Sequence, residues 1–173
     1  MKYLFSFLLV IITYVIISNV VVANNLIPDD AIRIRVIANS NDDYDQKIKN
    51  DVKNLLEQDI YNNLNGVNSI EEARLKISNN IPNIEHDIND YLIKKNYNLG
   101  FKVNYGLNYF PEKEFKGIKY KEGYYESLVV TLGRGEGDNW WCVLFPPLCL
   151  IEAEESSDIE YRSLVKEIVE RYF

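Results

Sequence analysis

Both tryptophans, both cysteines and a Pro-Pro pair fall within eleven consecutive residues, Asn139-Trp140-Trp141-Cys142-Val143-Leu144-Phe145-Pro146-Pro147-Leu148-Cys149. No core strand or helix requires that combination. Seven extended steps from Cys142 to Cys149 span roughly 23–25 Å, whereas a disulfide holds its α-carbons about 4.4–6.8 Å apart. A bond between these cysteines therefore needs the chain to reverse, and Pro146-Pro147 supply the turn. Closing so short a loop stabilises by on the order of 2–3 kcal/mol in the chain-entropy model. The stretch is expected to be a presented loop stapled by Cys142–Cys149 and shaped by Asn139, Pro146 and Pro147. Two buried free thiols are the alternative.

Residues 1–23 carry one charge, Lys2, ahead of an almost unbroken apolar run from Leu4 to Ile17, and Val21-Val22-Ala23 ends on a small residue. This is the pattern of a secretory signal peptide. An uncleaved N-terminal anchor is the other reading, since Tyr3 to Val22 approaches the about 20 residues that span a bilayer. Either fate delivers the remaining chain outside the cytosol. Residues 24–31 are a polar lead-in, and residues 32–173 are expected to form one domain. The apolar content of the whole chain, 47% with 13% aromatic, suffices for a single core. The formal net charge of −7 argues against nucleic acid and anionic lipid as partners. An even pair of cysteines suits an oxidising compartment.

Ile32-Arg33-Ile34-Arg35-Val36-Ile37-Ala38 alternates apolar and basic residues, as a strand with one buried face does. From Asp45 to Leu64 the positions Ile48, Val52, Leu55, Leu56, Ile60 and Leu64 recur at helical spacing, with Asp43 as a cap and Gly66 as a stop. Ser69-x-x-Glu72 is a capping box for a second helix carrying Ile70, Ala73, Ile77, Ile81, Ile84, Ile88 and Leu92 on one side, which Pro82 should kink or divide. The period then changes to two over Phe101, Val103, Tyr105 and Leu107. Phe115 to Tyr120 suggests a short hairpin arm, and Tyr124 to Leu132 a third strand. Ser157 to Phe173 is expected to close the chain as an amphipathic helix. The order points to an α+β domain of two layers, with helices on one face of a small, mainly antiparallel sheet.

Catalytic constellations are thin. The single histidine, His86, sits in the second helix beside Glu85 and Asp87, which are not facing neighbours there. No set of zinc ligands accompanies it, and no nucleophile elbow is present, so neither a metal nor another cofactor is expected. Gly133-Arg134-Gly135-Glu136-Gly137 follows a strand but opens no helix for an anion, and reads as a flexible turn positioning the tryptophan stretch. Three readings of Trp140, Trp141 and Phe145 are compatible with the sequence. They form a structural plug against the sheet, a hot spot for a protein partner, or a contact with a membrane interface. Arg33 and Arg35 are either a polar strand face for the partner or a solvated edge. An exported cell-wall hydrolase or sugar-binding module, its tryptophans stacking on rings and its carboxylates paired across a cleft, is the competing class.

Ile32 to Ser40, the Asp45-Gln46 helix start, Gly123-x-Tyr125-Glu126-Ser127-Leu128 and above all Gly137-x-Asn139-Trp140-Trp141-Cys142-Val143-x-Phe145-Pro146-Pro147-Leu148-Cys149 resemble the stage II sporulation protein R family of endospore-forming Firmicutes. The resemblance implies a non-catalytic signal made in the forespore and exported into the space between forespore and mother cell. There such proteins trigger a membrane-embedded aspartic protease that removes the pro-sequence of sigma-E. On that reading Trp140, Trp141 and Phe145 are the contact or its support, and Cys142–Cys149 the staple. The oligomeric state is left open by the sequence.

Overall fold

The alternation of Ile32–Ile37 builds the strand from which the whole domain is organised. In the computed structural model, residues 6–7, 9–13, 28, 30–115, 118–148 and 167–171 are described. Strand β1 (Ile32–Ile37) is followed by helices α1 (Asp43–Leu64) and α2 (Ile70–Lys94). Strands β2 (Phe101–Phe110), β3 (Lys113–Phe115), β4 (Ile118–Tyr120), β5 (Gly123–Leu132) and β6 (Asn139–Phe145) complete the order. Four strands form one sheet in the order β2-β5-β1-β6, and β3-β4 form a separate two-stranded arm. The β1–β5 ladder is parallel, and the β2–β5 and β1–β6 ladders are antiparallel. This is the α+β architecture expected from the sequence, with one strand, β6, beyond those that periodicity predicts.

Each helix is defined by an apolar stripe and a terminus. Asp43 and Asp45 occupy the first turn of α1, where carboxylates face the positive end of the helix dipole. Gly66 follows α1 in a left-handed conformation, φ 77°, as the stop signal requires. The Ser69 hydroxyl accepts the Glu72 amide at 3.2 Å and caps α2. Pro82 does not divide α2, which runs unbroken from Ile70 to Lys94. It is exposed, so the missing amide and the ring face solvent rather than packed neighbours.

Period-two alternation divides the sheet into two unlike faces. Ile32, Ile34 and Val36 of β1 and Leu128, Val130 and Leu132 of β5 meet Ile48, Val52 and Leu56 of α1 and Ala73, Ile77, Ile84 and Ile88 of α2 in the main core. Each fully buried Ile or Leu there contributes about 1.5–3 kcal/mol relative to an exposed one. A side-chain bond from Asn80 Nδ2 to Asp59 Oδ2 at 2.6 Å ties the two helices together. The other face of the sheet presents Arg33 and Arg35.

Three tyrosines on the helix side give the fold a pH dependence. Burial, and then the hydrogen bond to Asp51, pushes Tyr91 far up. Burial, and then the bond to Glu126, does the same for Tyr105, and burial raises Tyr97 to about 12. A phenol whose folded pKa lies above its unfolded value contributes stability that is complete below the unfolded pKa and lost as pH rises through the folded one. The urea midpoint should therefore hold steady up to about pH 9 and fall above about pH 10. Buried Tyr97 alone contributes a slope of up to about 1.4 kcal/mol per pH unit. A midpoint unchanged between about pH 9 and pH 11.5 would contradict this assignment.

The glycine-rich stretch after β5 is pinned rather than flexible. It crosses the end of β1 and docks on residues 38–41. Glu136 N donates to Asn39 O at 3.1 Å, Gly137 N to Ala38 O at 3.0 Å, Arg134 N to Asn39 Oδ1 at 3.0 Å and Asp138 N to Asn41 Oδ1 at 2.6 Å. Asn39 and Ser40 in turn donate to Asp45 Oδ2 at 2.7 and 2.6 Å, so the start of α1 holds the receiving segment.

The stretch from Asn139 to Phe145 is a strand, not a presented loop. Trp, Val and Phe are strand-favouring residues, and β6 pairs in register with β1 from Asn139 opposite Ile37 to Val143 opposite Arg33. A bulge then places Phe145 opposite Ile32. The chain turns at Pro146-Pro147 after a cis Phe145-Pro146 peptide, with Leu148 N donating to Pro146 O at 2.7 Å. Cys149, most of the segment read as a signal peptide or anchor, and most of the expected C-terminal helix lie outside the described residues. Residues 167–171 are helical, and Ile168 and Val169 pack near Trp141 and Val143. No helix among the described residues is long and apolar enough to cross a membrane.

Candidate functional site

On the face of the sheet opposite α1 and α2, alternation in β1 aims two guanidinium groups into a ring of aromatics. Arg33 is only 3% exposed. Its Cζ lies 3.2 Å from the ring centroid of Tyr125, 5.6 Å from Phe110, 5.8 Å from Trp141 and 5.9 Å from Tyr120. Each desolvated cation–aromatic contact contributes about 0.5–2 kcal/mol. Arg35 lies one step further along, 5.7 Å from Phe110, and donates from Nη1 to the Tyr109 carbonyl at 3.4 Å. Desolvation pushes the Arg35 pKa down from its ordinary value.

Four elements supply the ring. Phe110 ends β2 and Tyr125 lies near the start of β5, with their rings edge to face at 6.2 Å. Trp141 comes from β6 and meets Phe110 at 5.6 Å and Tyr120 at 4.6 Å, both nearly perpendicular. The β3–β4 arm folds onto this face and brings Tyr120 and Lys113, whose Nζ is 5.4 Å from the Trp141 ring. Edge-to-face pairs of this kind are worth about 0.5–1.5 kcal/mol beyond burial. The result is a largely buried cationic–aromatic cluster in which Trp141 remains half-buried.

The residues singled out by sequence are not gathered in one place. Trp140 and Trp141 point to opposite faces of β6. Trp140 is half-buried beside the main core, with Lys53 Nζ 5.3 Å from its ring. Phe145 is 1% exposed within that core. Asn139 opens β6, Pro146 is buried and Pro147 half-buried. Cys142 packs against the main core opposite Ile34 and has no disulfide partner among the described residues. Its expected partner, Cys149, lies outside them.

Arg33 and Arg35 are not a solvated edge, because β1 is an interior strand between β5 and β6. Their environment, and the parts played by Phe110, Tyr120, Tyr125 and Lys113, were not apparent from sequence. The Ile-Arg-Ile-Arg alternation was the available signal: a strand interior to a sheet must cover both faces, including a basic one. His86 is exposed on α2, with Nδ1 3.2 Å from Asp87 and Nε2 3.9 Å from Asp90. It lies on the helix side of the sheet, away from the arginines. Among the described residues no group of three His, Cys, Asp or Glu side chains could hold a metal ion. The Glu126 carboxylate is engaged by Arg74 Nε at 2.9 Å and Tyr105 at 2.6 Å, also on the helix side.

Comparison with known proteins converges on one family. The family model described as stage II sporulation protein R matches residues 28–155. Stage II sporulation protein R of Bacillus subtilis (strain 168) is 39% identical over 127 residues, which cover 73% of this chain and 57% of the relative's length. No solved structure matches.

Proposed function

Because this chain belongs to the stage II sporulation protein R family and so has its role in sporulation, we propose that it is an exported signal passing from forespore to mother cell. It activates the membrane-embedded aspartic protease that processes pro-sigma-E, by protein–protein contact and without catalysis of its own. It acts in the space between the two cells, released or tethered by its apolar N-terminal segment. The observation that carries the contact is the half-buried Trp141, held by Phe110, Tyr120 and Lys113 on the face opposite the helices. A tryptophan fixed in this way meets a partner with little ordering cost. Trp140 and Phe145 support the strand that presents it, and a Cys142–Cys149 bond fixes the turn that follows.

The test is deletion in the source organism during sporulation, with blots for pro-sigma-E and its mature form. The precursor should accumulate in the deletion strain, and wild-type protein should restore processing. Trp141→Phe should restore most of it, Trp141→Ala little, and Cys142→Ser/Cys149→Ser an intermediate amount. Processing at the normal rate without the gene would overturn the reading.

A further inference from the structure

Among the described residues, the sheet has one long open margin. β2 is the terminal strand of the β2-β5-β1-β6 order, and all ten of its residues pair with β5 without a register shift. Natural sheets blunt such edges with short strands, bulges, prolines or several charges. β2 is longer than the about 5–6 residues common for strands, has no proline within it, and carries Lys102 as its sole charge.

The helix-side residues of β2 divide into two halves. Phe101, Val103 and Tyr105 pack beside the main core, whereas Leu107 and Tyr109 are 74% and 49% exposed. Beside the first half lies an open depression of about 720 Å³, walled by Pro82, Glu85, His86 and Asn89 of α2 and floored by residues 101–104. Among the described residues, one end of the strand thus has a groove without an apolar occupant, and the other end has apolar side chains without a groove.

We infer that β2 pairs antiparallel with β2 of a second copy across a two-fold axis near Tyr105, giving a continuous sheet through both molecules. In this register Leu107 of each copy lies opposite Val103 of the other and Tyr109 opposite Phe101, so the exposed pair of one molecule enters the α2 groove of the other. Tyr105 faces its own symmetry mate. On the other face Lys102 lies opposite Asn108, so no like charges meet. A closed, isologous interface of this kind needs only one self-complementary patch. It makes no use of the cationic–aromatic face and is independent of the signalling role.

Sedimentation velocity on the full chain, in density-matched detergent, tests the pairing. A dimer that dissociates on dilution is expected. Leu107→Lys should weaken it about tenfold or more, as should Asn108→Lys, which sets a second lysine opposite Lys102. Asn108→Asp, which sets a carboxylate there, should leave it as tight or tighter. Leu107 is 74% exposed, so its lysine variant should melt like wild type. Asn108 is half-buried and donates to Gly106 O, Ser127 O and Ser127 Oγ, so its lysine and aspartate variants are read against each other, at a temperature well below both melts. A monomer across the micromolar range overturns the inference. So does a dimer indifferent to both lysine substitutions, which would place self-association in the N-terminal apolar segment.

Discussion

A Gly137→Ala protein is expected to lose on the order of 3 kcal/mol of stability, a large part of the about 5–15 kcal/mol that holds a typical domain folded. A Cβ at position 137 would meet the Ser40 carbonyl oxygen, and would sit 2.5 Å from the carbonyl carbon and 2.9 Å from the α-carbon. These are backbone atoms held by the first turn of α1, so no side chain can swing aside. Relief requires residues 133–138 to lift off the end of β1, breaking the bonds that Arg134, Glu136, Gly137 and Asp138 donate to residues 38–41. Gly66→Ala is the control. It has the positive φ of 77° but open space around it, so it should cost only the about 1–2 kcal/mol of left-handed strain. Urea unfolding of both proteins decides the matter. If Gly137→Ala stays within about 0.5 kcal/mol of wild type, the docked loop does not hold the sheet together as described.

Arg33→Ala should be comparably damaging, at about 3–5 kcal/mol. The side chain fills the space between Tyr125, Phe110, Trp141 and Tyr120, and its removal leaves a cavity that four rings cannot close. Arg33→Met separates packing from charge. Methionine restores most of the lost volume, so part of the stability should return; the remainder reads what the charge contributes, since removing one member of a buried ionic contact costs about 3–5 kcal/mol. Arg33→Lys should not rescue fully, because an ammonium group cannot lie flat on Tyr125 as a guanidinium does. Denaturant midpoints of the three variants rank them. An alanine variant as stable as the methionine variant would show that the volume of this side chain is unimportant.

The helices were legible because their information is local. Ile48, Val52, Leu56 and Ile60 in α1 and Ala73, Ile77, Ile84, Ile88 and Leu92 in α2 are buried as the spacing predicts, and Ser69 and Gly66 mark boundaries through their own backbone chemistry. β6 was harder to read, because its tryptophans, cysteine and following prolines suggested a loop and masked the alternation between faces. That alternation separates Trp140 from Trp141, and nothing in their adjacency shows it. The cationic–aromatic face was illegible for another reason. Arg33 has Ser127 on one side and Val143 on the other, and only the strand order reveals that it is enclosed rather than at an edge. That order depends on pairings between segments roughly a hundred residues apart, which periodicity does not encode.

The central position of β1 also sets the sequence of events by which the molecule is made. Among the described strands it is the first to be synthesised, yet both of its neighbours, β5 and β6, come from residues 123–145. The loop that locks its end joins residues 95 and 97 apart in the chain. A nascent chain can form α1 and α2 early, but β1 has no neighbour until β5 exists and becomes interior only when β6 follows. The sheet therefore closes late and in order: β5 bridges β2 to β1, and only then can β6 cover the other side of the strand that was made first.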